Sequence, residues 1–183
     1  NLPDPSKTAL SAFKNDLRQS PYVQSISACY RPPAAAVMNG GSFKFGGKST
    51  WETFPIRERL ADSDYLSTFD LHLAAGRNIT ESDTIREYLV NEALLKKLNI
   101  KDSKQILGRK LETYLSPVAL PIVGVVKDFH LRSLHETIQP CFIATQTARY
   151  KKVGVQCVGR HPEHTGRVSV HSWQCRYRHE VFA

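Results

Sequence analysis

Apolar residues at the start of the chain recur with helical spacing and then give way to a strand-like pattern. Leu10, Phe13 and Leu17 lie three and four positions apart, which predicts one amphipathic helix with a single apolar stripe. Residues 22–29 then alternate and include β-branched side chains, and this pattern is typical of a strand. The chain is therefore expected to open with a helix followed by a strand.

The middle of the chain predicts short elements of both kinds. Residues 34–50 are small and glycine-rich, which predicts a loop that carries a small hairpin. Strands are expected within residues 51–60 and 87–90. Asn91 is suited to cap a helix over residues 93–98, whose leucines would face inward.

The last third predicts a fully buried strand, two further strands and a helix. Residues 122–126 are β-branched apart from one glycine, as in strands that are covered on both faces. Strands are also expected at residues 141–145 and 152–158, and a helix at residues 164–178, although several poor helix formers lie in that last segment. Short strands alternating with a few helices indicate an α+β fold.

Five short motifs in one order carry a family resemblance. They are Ala61–Phe69 (A-D-S-D-Y-L-S-T-F), Leu73–Arg77, Tyr88–Glu92, Leu107–Lys110 and Leu120–His130 (L-P-I-V-G-V-V-K-D-F-H), with His135–Pro140 after them. Each motif is short, so the specificity comes from their common order and spacing. In this order the chain resembles the extracytoplasmic domain of MacB/FtsX-type ABC transporter permeases, over roughly residues 10 to 182.

The resemblance implies a two-lobed, MacB-like periplasmic fold. Residues 1–33 and 122–183 would form a membrane-proximal, porter-like βαβ lobe, and residues 34–121 would form a smaller α+β lobe inserted into it. The family's last strand would follow the end of this sequence. Because the chain begins at Asn1 without a methionine, we expect it to be a piece of a longer protein whose membrane anchors lie in the flanks.

The same resemblance implies a mechanical role rather than a chemical one. The domain would lie outside the cell membrane, in the periplasm, and would couple ATP-driven motion of transmembrane helices to substrate export or to an outer partner. Expected partners are a second permease copy or a paralogue, an ABC ATPase subunit reached through the membrane region, and a periplasmic protein, peptide or lipoprotein. The alternative is a free-standing secreted binding protein or hydrolase, and no residue identifies the substrate.

Composition and charge agree with an ordered domain that does not bind nucleic acid. The 183 residues are 41% hydrophobic, enough for one domain or two small lobes. The formal charge is +8, but residues 149–179 hold seven Lys or Arg against one acidic residue, so the surplus is local. No recognised nucleic-acid motif accompanies it, whereas anionic headgroups would attract such a segment near a membrane. The longest nearly apolar run, residues 115–126, contains two prolines and is too short to span a bilayer.

No set of residues predicts catalysis or nucleotide binding, so no catalytic or cofactor-binding residue is assigned. Asp62 and Asp64 lie where a turn enters a helix, and capping that helix is the favoured role. Asp128 stands near His130 without a nucleophile motif, which favours packing or hydrogen bonding for that histidine. Residues 46–50 (G-G-K-S-T) resemble the end of a phosphate loop but lack its first glycine and its preceding strand.

The cysteines and histidines leave two alternatives open. The four cysteines have neither redox nor zinc-ligand spacing and are expected to be free thiols, although Cys141 and Cys157 could face each other across a hairpin. His171, Cys175 and His179 are four positions apart and would share one face of a helix, which gives a candidate metal site without a fourth ligand. A polar helix face is favoured there, and no metal or cofactor is assigned.

Overall fold

The computed structural model describes residues 7–33, 39–129 and 137–157, with side chains from residue 10 onward. The elements in chain order are α1 (Lys7–Arg18), β1 (Val23–Cys29), β2 (Gly40–Gly41), β3 (Phe43–Phe45), β4 (Ile56–Leu60), α2 (Tyr65–Thr68), β5 (Leu73–Gly76), β6 (Tyr88–Asn91), α3 (Glu92–Lys97), β7 (Lys110–Thr113), β8 (Ser116–Val126), β9 (Cys141–Ala144) and β10 (Lys152–Cys157), with 3-10 turns at Ser103–Ile106 and Thr147–Arg149. This mixture confirms the predicted α+β class.

Most strands belong to one mixed sheet. Its order is β2-β4-β9-β6-β8-β7-β3, and β5 also pairs with β8. The pairs β4–β9 and β6–β8 are parallel, and the others are antiparallel. Strands β1 and β10 form a separate antiparallel ribbon, which the main-chain bond from Tyr30 N to Leu60 O joins to the end of β4.

The predicted hairpin within residues 34–50 is wrong. Strand β2 pairs with β4 and strand β3 pairs with β7, so the two neighbouring strands do not pair with each other. Strands of two and three residues could form few backbone hydrogen bonds with each other. Longer, distant strands supply more backbone partners for each of them, and every buried backbone N–H and C=O needs such a partner.

Strand β8 lies inside the sheet, as predicted from its β-branched run. Ile122, Val125 and Val126 are fully buried. A Cβ atom built on Gly124 would come within 2.3 Å of the Arg77 carbonyl oxygen, because β5 packs directly against this point of β8. Only glycine fits this close approach of two backbones. The predicted boundary between the two lobes, between residues 121 and 122, falls inside strand β8. The division into lobes stays a prediction.

The predicted hairpin between Cys141 and Cys157 is also wrong. Strand β9, which carries Cys141, pairs with β4 and β6, whereas β10, which carries Cys157, pairs with β1. Both cysteines and Cys29 are free thiols, so among the described residues the free-thiol prediction holds. Cys175 lies outside the described residues.

Helix α1 packs against β1 through a half-buried stripe. Leu10, Phe13 and Leu17 are all partly buried, and Leu10 joins the main core cluster. In the described ranges, no helix is both long and apolar enough to cross a bilayer. The predicted helix at residues 164–178, the candidate ligands His171, Cys175 and His179, and His130 lie outside the described residues.

Candidate functional site

Asp62, the first acid of the D-x-D motif, is buried and fully engaged. Its carboxylate accepts hydrogen bonds from Ala28 N (2.7 Å), Ser27 Oγ (2.7 Å) and Lys14 Nζ (2.7 Å). Burial raises the pKa of Asp62 above its ordinary range, and the charge of Lys14 opposes that rise. The residue therefore ties helix α1 and strand β1 to the end of β4.

Asp64, the second acid, binds two cations of α1. Its Oδ2 atom accepts from Lys14 Nζ (2.8 Å) and Arg18 Nη2 (2.8 Å). The predicted capping of α2 by these acids is wrong, since Asp64 makes no side-chain bond to that helix. Lys14 and Arg18 stand one turn apart on α1, and two cations attract the carboxylate more strongly than the N–H groups of a four-residue helix.

A cleft of about 260 Å³ opens between α1 and this loop. Its charged lining includes Lys14, Arg18, Asp62, Asp64 and Glu81. The first four of these groups neutralise one another in ion pairs, and Glu81 accepts hydrogen bonds from Ser63 N (3.2 Å) and Ser63 Oγ (3.0 Å). The arrangement is suited to fixing α1 on the body of the domain.

The G-R motif joins β5 to the segment that precedes β6. Arg77 donates two parallel bonds to Glu87, at 2.8 and 2.7 Å, and Glu87 also accepts from Thr80 N and Thr80 Oγ1 at 2.7 Å. The bonds from Arg77 are the main cause that lowers the pKa of Glu87 to about 2. Gly76 precedes the arginine with a φ of 76°, a conformation that favours glycine.

The N-E motif and the aspartate after β8 form a second hydrogen-bonded cluster. Asn91 Oδ1 accepts from Leu94 N (3.3 Å), which confirms the predicted helix cap, and from Cys141 N (2.9 Å). Asp128 accepts from Ala93 N (2.7 Å) and from Lys96 Nζ (2.7 Å). These groups hold the start of α3 against the ends of β8 and β9, and the oxygens of Asp128 are already used in that role.

The segment that resembles a phosphate loop has a different geometry. Gly46 and Gly47 form a turn with φ values of 68° and 79°, and Lys48 Nζ pairs with Glu52 at 2.9 Å. The chain then runs irregularly to β4, so the helix N-terminus that such a loop presents to a phosphate does not follow. In the part of the chain that the structure describes, no three His, Cys, Asp or Glu side chains come together as a metal site.

The sequence interpretation missed the basic partners of these acids. Lys14 and Arg18 entered no prediction, although they stand four residues apart and so share one face of the predicted helix. It also missed a basic cluster around Tyr30, formed with Arg31, Arg149 and Lys151. Nothing in the local pattern connects residue 30 with residues 149 and 151.

Comparisons with known proteins identify solved structures with a similar fold. No family model matches the chain, and no curated protein matches it. Among solved structures, the extracellular domain of the ABC-type transporter YknZ from Gram-positive bacteria is 16% identical, with 85% of this chain and 81% of that chain covered and a TM-score of 0.54. The periplasmic region of MacB from Actinobacillus actinomycetemcomitans is 18% identical, with 75% and 55% covered and a TM-score of 0.50.

These two structures show that the chain has the MacB-like periplasmic fold, as the motif order predicted. The matched region spans about half of the MacB periplasmic chain, at 55% of its length. At this level of identity the likeness concerns the fold.

Proposed function

We propose that this chain, whose fold is that of MacB-like periplasmic domains, is the extracytoplasmic domain of an ABC transporter permease. The observation that supports this most directly is the match to the extracellular domain of YknZ over 85% of the chain. The motifs that carry the family resemblance agree with a non-catalytic role, because their acids are engaged in ion pairs and backbone hydrogen bonds.

The proposed role is mechanical and passes through α1. In the arrangement that the resemblance implies, a transmembrane helix precedes the domain, and α1 is the first element that its movement would reach. Lys14 and Arg18 fix α1 to the loop after β4, and Asp62 joins that loop to β1. A displacement of α1 would therefore carry the sheet with it rather than bend a flexible connection.

The proposed partners follow from the same role. They are a second permease copy or a paralogue, an ABC ATPase subunit bound through the membrane region, and a periplasmic protein, peptide or lipoprotein as substrate or regulator. We further propose that residues 1–33 and 122–183 form the membrane-proximal lobe and residues 34–121 the distal lobe.

Location and anchoring separate this proposal from a free-standing secreted protein. The full gene product, expressed in its own host, is expected to fractionate with the cell membrane and to lose this domain when external protease is added to spheroplasts. It should also co-purify with an ABC ATPase subunit in mild detergent. Recovery of the domain in the soluble periplasmic fraction, without membrane and without an ATPase, would favour the free-standing class.

The coupling itself is tested by loosening α1 in the assembled transporter. With Cys157 and Cys175 replaced by serine, a spin label at Lys101→Cys, an exposed position, is paired with a second label on the ATPase subunit. The distance between them is expected to differ between the ATP-bound and nucleotide-free states, and Lys14→Met with Arg18→Met should reduce that difference. Lys48→Met, which breaks the exposed pair with Glu52, is the control and should preserve it. Equal changes in all three proteins would exclude transmission through α1.

A further inference from the structure

Three cations surround the ring of Tyr30. The Arg31 guanidinium carbon lies 4.7 Å from the ring centroid, the Arg149 guanidinium carbon 5.4 Å, and Lys151 Nζ 5.3 Å. We call these four residues the Tyr30 cluster. Its members come from the end of β1 and from the turn before β10, which the ribbon brings together.

The cations of the Tyr30 cluster are poorly compensated. Among the described residues, Arg31 and Lys151 have no carboxylate within 4 Å, and Arg149 has only Glu58 at 3.8 Å. Glu58 is 1% exposed and already accepts from Asn39 Nδ2 (3.1 Å) and from a nearby tyrosine hydroxyl. Lys14 and Arg18 of α1 differ, because each of them contacts a carboxylate at 2.8 Å or less.

The hydroxyl of Tyr30 has a proton to donate. Its oxygen accepts bonds from Asn39 Nδ2 (3.2 Å) and Arg31 Nη2 (3.4 Å), both of which are donors only. No described residue accepts the hydroxyl proton. Partial burial raises the pKa of Tyr30, but the bond from Asn39 and the charge of Arg31 outweigh that effect, so the pKa lies below its ordinary value. An electropositive surrounding of this kind attracts negative charge.

We propose that the Tyr30 cluster binds a phosphate-type oxyanion, either free phosphate or the phosphate group of a larger molecule. Guanidinium groups match the geometry of phosphate oxygens, and an ammonium adds a point charge. Three cations within 5.4 Å of one ring centroid, together with a hydroxyl that can donate a hydrogen bond, suit a tetrahedral anion with several oxygens better than a single carboxylate. The site goes beyond the proposed transporter role and does not depend on it.

The first test measures binding of inorganic phosphate to the 183-residue chain by calorimetry at about 0.15 M ionic strength, where long-range attraction is screened. The unmodified chain should bind one phosphate saturably. Tyr30→Phe removes only the hydroxyl and should weaken binding about tenfold, because hydrogen bonds to charged groups are the stronger kind. Arg149→Gln with Lys151→Gln should abolish it.

The matched control is Lys97→Gln with Lys101→Gln, which removes the same two charges at exposed positions away from the cluster. It should bind phosphate like the unmodified chain. Thermal unfolding of every variant checks that each is folded under the binding conditions. Equal weakening in the control and in the Arg149 and Lys151 variant would show nonspecific attraction to a basic surface and would overturn the proposal.

A second arm distinguishes the sources of the anion. Sedimentation with phosphatidylglycerol vesicles, and with phosphatidylcholine vesicles for comparison, tests a lipid headgroup. Binding to phosphatidylglycerol that Tyr30→Phe weakens would identify the headgroup as a ligand, whereas binding of free phosphate alone would identify a small-anion site. Absence of saturable binding in both arms would overturn the proposal.

Discussion

Replacing Lys14 by methionine tests whether the buried acid is the anchor of α1. The substitution removes the cation that Asp62 and Asp64 share and keeps a side chain of similar length. The Asp62 side chain is 3% exposed, so its charge would lose its nearest cation in a site that water reaches poorly. We expect the free energy of unfolding to fall markedly at neutral pH.

The size of the expected loss in unfolding free energy depends on the hydrogen bonds that Asp62 keeps. Removing one partner of a buried ion pair costs about 3–5 kcal/mol. Asp62 retains its bonds from Ala28 N and Ser27 Oγ, and the adjoining cleft admits some solvent, which brings the expected loss to about 2–3 kcal/mol. In a chain of this size, a loss of that order lowers the Tm by about 5–10 °C.

Arg18→Met is the matched control. It lies one turn further along the same helix, receives the same side chain and removes the same charge. Its partner Asp64 is 37% exposed, and pairs of this kind contribute about 0.2–1 kcal/mol. The two variants should therefore differ by about 1–3 kcal/mol, which separates burial of the acid from a general loss of positive charge.

The pH dependence of stability gives a second test of Asp62 as the buried anchor. Burial raises the pKa of folded Asp62 above its ordinary value of 3.8, and loss of Lys14 raises it further. Between the unfolded and folded pKa values the folded chain binds more protons, so stability falls as the pH rises through that interval. The penalty of Lys14→Met should be larger at pH 8 than at pH 5.

Urea unfolding followed by circular dichroism at the two pH values measures both effects. Adding Asp62→Asn to Lys14→Met should recover part of the loss at pH 8, because it removes the unpaired charge. If Lys14→Met and Arg18→Met are equally stable at pH 8, or if the penalty is the same at both pH values, the assignment of Asp62 as a buried, charge-dependent anchor is wrong.

Four further predictions concern the core, the thiols, the oligomeric state and nucleotide binding. Val125→Asp places a charge in a fully buried site of β8 and should cost several kcal/mol, so a Tm within two degrees of the parent, by differential scanning calorimetry, would contradict the burial. Burial raises the pKa of Cys141 to about 12, and with Cys157 and Cys175 replaced by serine we expect no reaction of the folded chain with a thiol reagent at pH 8. The chain should sediment as a monomer at tens of micromolar protein and show no ATP binding by calorimetry; a stable dimer or a saturable ATP isotherm would contradict this.

Local pattern accounts for the parts of the fold that the sequence predicted correctly. The β-branched run of β8 indicated a buried strand because side chains on both faces of a covered strand are apolar. Asn91 was recognised as a cap because its side chain reaches an N–H only three residues away. The α+β class followed from the alternation of such elements. Each of these features depends on residues that are close in sequence.

The tertiary structure alone decided which strands pair and which charges meet. Strands β2 and β3 pair with distant partners, and the acids at 62 and 64 bind cations that lie about 50 residues earlier in α1. The Tyr30 cluster joins residues more than 100 positions apart. A carboxylate or a short strand has many acceptable partners in a chain of this length. Which partner it finds is set by packing of the whole core, because the small energy of each contact does not select one partner by itself.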